Sequence, residues 1–364
     1  MCSQLTWPSI RPTSLATNSS GPTSRRGVRG QNGARLAAKL AALWLVSLTI
    51  GSCQSFGSAP TVVKIGVIAP FEGVGRQLGY AILPAVKREL ASVNGERVLG
   101  DYRVSLVALN DDLDPGEAAD QAKALAKDPD VVAVIGLWSD GTAASAVPIL
   151  AEAGVPTLLA APSDGLGPMI HSLGPESRQV ATELLRGAQG FGPLQVVVTG
   201  PDTALRKALV ESAPELAVVA EAAPDPCQEE NDSECAVIYA GDATGAAEVL
   251  QRWRAVGWDG PFLGGPETAR PWFVERAGGE AEGARAVVCG GSELPPASQD
   301  ASLQYSAELA SATTRSVLTG LRRAIVDAGK PTRQTLASAL SSFEAGQDLA
   351  WIEVRSGGWV PLHE

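Results

Sequence analysis

The chain has 364 residues, 45% of them hydrophobic, with 29 Lys and Arg against 40 Asp and Glu and a formal net charge of −11. That length suggests about two domains, and the apolar fraction suffices for a buried core. The acidic balance argues against nucleic acid, whose phosphates need clustered Lys and Arg; the two histidines, His171 and His363, stand in no metal-ligand spacing, which argues against a zinc enzyme and leaves no cofactor signal.

Residues 1–60 contain no Asp or Glu but carry Arg11, Arg25, Arg26, Arg29, Arg35 and Lys39. The apolar run that follows, LAALWLVSLTIGSC (40–53), is shorter than the ~20 residues of a comfortable membrane span. A charged segment, a short apolar core and then small residues read as a secretory signal. Its ending, IGSC, resembles a bacterial lipobox, which implies cleavage after Ser52 and lipid on Cys53, with residues 1–52 as the signal peptide. An uncleaved anchor helix is the alternative, and a signal of ordinary length would begin at Val28. Removing the six positive charges of the leader takes the net charge from −11 to −17, so the expectation is an acidic, extracytoplasmic domain on the bacterial cell membrane.

SFGSAPT (55–61) reads as the end of a tether that begins at Cys53. Strand and helix patterns then alternate. VVKIGVIAP (62–70) is a strand covered on both faces, GYAILPAVKRELASVN (79–94) an amphipathic helix carrying Pro84, and YRVSLVAL (102–109) a strand. DPGEAADQAKALAKD (114–128) is a helix with Asp114 as N-cap and Pro115 in its first turn. VVAVIG (131–136) is a strand, TAASAVPILAEAG (142–154) a helix closed by Gly154, and VPTLLAAPS (155–163) a short strand.

The rhythm restarts at LQVVVTG (194–200), after a helix in ESRQVATELLRGAQGFG (176–192). A helix at 203–212, strands AVVAEA (217–222) and AVIYAG (236–241), a helix at 245–256, and strands PFLGG (261–265) and ARAVVCGG (284–291) follow. Cys227 and Cys235 flank QEENDSE, a polar loop that a local disulfide can close outside the cytoplasm; Cys289 reads as a buried core thiol. The chain ends in helices at 302–329 and 332–346 and a strand pair, DLAWIEVRSGGWVPL (348–362), turning at Gly357-Gly358. Regular β-α-β alternation in two runs means an α/β protein of two Rossmann-like lobes with parallel sheets. Ligands of such folds sit beyond the carboxyl ends of the strands, where PFLGGPE places Glu267.

Three stretches, KIGVIAPFEGVGRQLGYAILPAVKREL, NDDLDPGEAADQAKALAKDPDVVAVIGLWSDGTAASAVPILAEAGVPTLLAAPS and GWDGPFLGGPETARPWFVERAGGEAEGARAV, resemble the branched-chain amino-acid type of type I periplasmic binding proteins. The similarity extends over about residues 62–361. It implies two lobes that close over a ligand about a three-crossing hinge near 174–177, 289–293 and 340–347. Lobe 1 would span 62–174, completed by about 292–340, and lobe 2 would span 175–291, completed by about 345–364.

By position, the hydroxyl residue that holds a substrate carboxylate falls on Asp140, with Trp138 and Ser139 beside it. The next hydroxyl of this kind matches Ser163 in AAPSDG, with Ala161 of the same stretch also expected at the ligand, and the acidic residue for a ligand ammonium matches Glu267. The chain departs from the family at three aromatic positions: Leu78 replaces one, Asp202 and Thr203 another, and Asp242 or Ala243 the third. It is also short by roughly one helix between 292–299 and 302.

Each site residue has a second reading. Glu267 either meets a ligand cation or caps the helix starting near Arg270, and Asp140 either meets the ligand or caps the helix from Thr142. Ser163 is a ligand hydroxyl or a turn residue, Trp138 a stacking partner or a lobe-edge cap, and Asp242 part of an acidic cleft or a solvated charge. The expected function is that of a solute receptor for an ABC importer, not an enzyme, taking a small polar solute that is amino-acid-like, cationic or hydroxylated. The alternative is a sensor or scaffold of the same fold that binds a protein partner.

Overall fold

The computed structural model describes residues 60–161, 167, 169–172, 174–192, 195–201, 203–227, 235–290, 300–341 and 348–362. Cys53, Ser163, Asp202 and His363 lie outside these residues, as do most of the second and third expected crossings.

The β-branched run after the tether forms β1 (Thr61–Ala69). Strands β2 (Tyr102–Asn110), β3 (Val131–Gly136), β4 (Thr157–Leu159) and β5 (Ile170–Ser172) join it in the order β2-β1-β3-β4-β5, all parallel. Helices α1 (Arg76–Gly95), α2 (Pro115–Lys127) and α3 (Asp140–Glu152) make the crossovers. Every residue of β3 is buried, as a parallel strand covered by helices on both faces requires. Asp114 caps α2, accepting from the Glu117 N–H at 2.8 Å, with Pro115 beginning the helix. Helix α1 starts three residues earlier than the periodicity indicates and runs through Pro84. Strand β5 has only Ile170 fully buried, so it offers no apolar run to read.

After α4 (Ser177–Gln189) the chain builds a second sheet from β6 (Gln195–Thr199), β7 (Ala217–Val218), β8 (Cys235–Tyr239), β9 (Phe262–Gly264) and β10 (Arg285–Cys289). Helices α5 (Ala204–Ser212), α6 (Ala243–Ala255) and α7 (Pro271–Ala277) lie between these strands. Two long-range helices follow, α8 (Ala301–Ala328) and α9 (Arg333–Leu340), and then β11 (Leu349–Arg355) and β12 (Gly358–Pro361). The sheet order is β12-β11-β10-β9-β8-β6-β7.

This sheet is mixed: it is parallel as far as β10, while β11 and β12 run antiparallel to their neighbours. A two-residue turn can join only antiparallel strands. Here it is Ser356-Gly357, both at positive φ (52° and 78°), one residue before the expected Gly357-Gly358. Cys227 and Cys235 are joined by a disulfide, and Cys289 is a free, buried thiol.

Helix α8 leaves the second sheet and packs along α1, and α9 packs on α8 and β3. Arg333, at the start of α9, locks that return. Its guanidinium donates to the carbonyls of Val131 (2.8 Å), Asp128 (2.7 Å), Ala126 (3.1 Å) and Ala153 (3.1 Å). These lie at the C-terminal ends of α2 and α3 and the start of β3, where unsatisfied carbonyls attract a cation. Arg333→Ala is expected to destabilise the protein by about 2–3 kcal/mol, since charge-assisted hydrogen bonds are lost. A lowered urea midpoint with an unchanged slope would show it.

Candidate functional site

The first wall of the site grows from the end of β3. Gly136 has φ +132°, and a Cβ there would stand 2.0 Å from the Ile68 carbonyl oxygen of the adjacent strand, so only glycine fits. Leu137 follows at φ +59° and donates its N–H to the same carbonyl at 3.1 Å. This sharp exit buries Leu137 on the core side and sets Trp138, only 3% exposed, at the strand end. Ser139 then caps α3, its Oγ accepting from the Thr142 N–H at 3.3 Å. The cap is therefore Ser139 and not Asp140, which is the first residue of the helix. Ser139 alone has the extended backbone that lets a side chain fold back onto the helix.

The second wall is the turn after β9. The N–H groups of Thr268 and Ala269 both donate to the Gly265 carbonyl, which coils residues 265–270 tightly. Thr268 Oγ1 fastens the turn to the Gly241 carbonyl at 3.0 Å, and Trp359 Nε1 fastens it to the Arg270 carbonyl at 3.0 Å. Behind the turn Tyr239, Phe262, Phe273 and Trp359 form a stacked ladder with centroid separations of 6.2, 5.9 and 5.5 Å. Such a backing fixes the turn by packing and not only by hydrogen bonds.

The two walls touch. Glu267 Oε1 accepts from the Asp140 N–H at 2.5 Å, so it caps a helix, but that of the opposite wall and not the one beginning beside Arg270. Arg270 Nη2 donates to the Trp138 carbonyl at 3.3 Å, and Nη1 donates to Ser306 Oγ of α8 at 3.0 Å. Nearer the surface, Gln77 Nε2 of α1 donates to Glu275 Oε1 of α7 at 2.6 Å.

Burial and then the negative charge of Asp140 push the Glu267 carboxyl up to about 8. The Asp140 N–H and the Arg270 charge pull it down, and a carboxyl–carboxyl hydrogen bond with Asp140 raises it further. Burial lowers Arg270, while Glu267, Cys289 and Asp300 oppose that shift. Arg270 is not singled out by the sequence, although a lone cation in the otherwise apolar stretch ARPWFV (269–274) is the signal that could have revealed it.

The other expected site residues fare differently. Asp242 is an N-cap, its carboxylate accepting from the Thr244 and Gly245 N–H groups at 2.7 and 3.0 Å, so its charge serves α6. Ala161 is buried, and its N–H is already given to the Leu137 carbonyl. Thr203, where the resemblance implies an aromatic, caps α5 and donates to the Ala240 carbonyl. Leu78 is core. Tyr239 is turned inward, its hydroxyl bonded to Glu221 at 3.1 Å, and burial raises its phenol. The described residues contain no cluster of metal-ligating side chains and no helix long and apolar enough to cross a membrane.

Two α/β halves here meet at their strand ends through polar side chains, and such strand ends are where open α/β sheets hold small ligands. Residues 62–223 match the family model described as periplasmic binding protein. The described fold is that of its type I solved structures. A leucine-binding protein, LivK, from Thermotoga maritima superposes with a TM-score of 0.67 at 17% identity, covering 83% of this chain and 98% of its own. The substrate-binding protein LivJ from Streptococcus pneumoniae, in complex with isoleucine, gives 0.65 at 18% identity over 82% and 98%. A solute-binding protein from R. palustris, in complex with benzoate, gives 0.61 at 18% identity over 83% and 95%. A comparison with curated proteins finds no match.

The raised Glu267 carboxyl has a consequence for stability. Between its ordinary value of 4.5 and about 8 the folded protein holds a proton that the unfolded chain has released. This contribution is fully present below 4.5 and falls as pH rises toward 8. Buried Asp111, pushed up to about 6, behaves likewise at lower pH. From pH 6.5 to 9 the melting temperature should therefore fall more in the wild type than in Glu267→Gln, as calorimetry at both pH values would show.

Proposed function

We propose that the chain is an extracytoplasmic solute receptor of an ABC importer, exported by residues 1–52 and held at the membrane by lipid on Cys53. The observation that carries this reading is the meeting of Trp138–Asp140, after β3, with Glu267–Arg270, after β9, across the gap between the two sheets. Strand-end junctions of this kind are where α/β proteins bind small molecules. The solved relatives named for leucine and crystallised with isoleucine or benzoate support a small organic solute.

In this reading the halves are lobes: 62–174 with about 292–340, and 175–291 with about 345–364. Three connections between them allow hinge opening without disturbing either sheet. Opening breaks the Glu267–Asp140, Arg270–Trp138 and Gln77–Glu275 contacts, all of which join side chains or loops across the gap. A solute entering the opened gap takes over those partners and closes the lobes on itself. The work is reversible binding that presents a closed form to a permease, and it needs no nucleophile, base or metal. Glu267 and Asp140 are the groups for a solute cation.

Thermal-shift screening against amino acids, small carboxylates, amides, polyamines and polyols tests the proposal. A true solute at a hundred times its Kd should add ~2.7 kcal/mol and raise the melting temperature by about 5 °C or more. No shift with any of them would favour a scaffold that binds a protein partner through the same fold.

A further inference from the structure

Arg270 is buried, 8% exposed, yet among the described residues no carboxylate lies within ion-pair distance of it. Of its five N–H donors, two are matched: one by Ser306 Oγ at 3.0 Å and one by the Trp138 carbonyl at a long 3.3 Å. The nearest acids are committed elsewhere. Glu267 accepts from the Asp140 N–H, and Asp300 caps α8 through the Ser302 N–H and also takes the Trp359 N–H. A buried guanidinium without a direct ion pair is costly, even with Glu267 and Asp300 acting on it from a distance, and a partner that completes it would relieve that cost.

A second, independent orphan stands beside it. Trp138 Nε1 is a buried donor with no acceptor among the described residues, in a residue 3% exposed. Trp138 and Arg270 line one cavity of about 20 Å³ together with Ser302, Tyr305 and Ser306. That is room for about one water molecule. Facing it are an indole N–H, a guanidinium and hydroxyls, and no carboxylate. Meanwhile the N-terminus of α3, where the resemblance would place a solute carboxylate, is occupied by the Glu267 carboxyl with Asp140 beside it.

We propose that a solute carboxylate docks between the Arg270 guanidinium and the Trp138 indole N–H, so that the receptor selects small organic carboxylates and holds them by that end. This rests on the solute-receptor reading and names the chemistry of its site. A carboxylate supplies the two acceptor oxygens that the guanidinium fork and the indole N–H lack. The cavity widens to admit it when the Arg270–Trp138 contact opens with the lobes. A solute that also carries an ammonium group presents it to Glu267, as the resemblance implies, and to Asp140, where the resemblance implies the carboxylate instead.

The test is calorimetric titration of the purified chain with matched pairs: leucine and leucinamide, 4-methylpentanoate and its amide, benzoate and benzamide. For at least one pair the acid should bind tenfold or more tighter than its amide, the size of one charge-assisted hydrogen bond or more. Trp138→Phe keeps the ring and removes the N–H; it should cut the acid-to-amide ratio about fivefold or more, because the lost bond is charge-assisted for the acid and neutral for the amide. Arg270→Gln should bring the ratio to about one, and Arg270→Lys should restore part of it, with melting temperatures confirming that each variant is folded. A ¹⁵N-labelled sample adds a direct readout, since the Trp138 indole proton should move further downfield when the acid binds than when the amide does, the bond to a carboxylate being the stronger. Equal binding of acids and amides, or a ratio untouched by Trp138→Phe and Arg270→Gln, overturns this proposal and leaves the receptor reading standing. Binding by none of the six overturns it also, and a blank broader solute screen is what would then take the receptor reading with it.

Discussion

The cost of keeping the Arg270 guanidinium out of water governs the junction between the two sheets. A cation so placed must be met by acceptors held in position, because a misplaced dipole in a poorly solvated site cannot be repaired by solvent. The acceptors come from two separate elements, the Trp138 carbonyl just after β3 and Ser306 Oγ on α8, while Trp359 Nε1 of β12 donates to the Arg270 carbonyl and anchors its backbone. Each is fixed in turn. Gly136 shapes the exit toward Trp138, α8 is held along α1, and Trp359 closes the aromatic ladder behind the turn. One side chain thereby ties the first sheet, the returning helix and the closing hairpin to one point.

Beside this cation lies the opposite problem. Glu267 and Asp140 bring two carboxyl groups together, and the helix N-terminus between them favours negative charge while burial and mutual repulsion disfavour it. Burial and repulsion win, so the Glu267 carboxyl holds its proton far above the ordinary range. The pairing also explains why the first wall can carry Asp140 where the resemblance implies a hydroxyl residue. The helix N–H that would receive a solute anion has an acceptor supplied by the protein itself.

Much of the fold was legible because parallel sheets covered on both faces write themselves as apolar β-branched runs. β1, β3 and β8 are such runs, and Asp114-Pro115 marks a helix start through local capping chemistry alone. The weaker elements failed for physical reasons. β5 buries one residue of three, β7 is two residues long, and the last turn slid one residue because Ser356 accepts a positive φ that glycine would have been expected to supply. At the site, Trp138, Asp140 and Glu267 meet at the junction of the two sheets, whereas the polar groups of Asp242 and Ala161 are bonded within their own half.

The sequence by itself determined two runs of β-α-β alternation, the strand-end location of Glu267, the acidic balance and the cysteine pair around a polar loop. All of these are local properties, fixed by periodicity, composition or near-neighbour chemistry. Only the tertiary structure decided which groups face each other: that Glu267 caps a helix 127 residues away, that Arg270 reaches the Trp138 carbonyl, and that the Trp138 indole N–H has no acceptor among the described residues. Hydrogen bonding across such separations depends on how two sheets are set against each other, and the residues that meet carry no mark of the meeting in their own neighbourhoods.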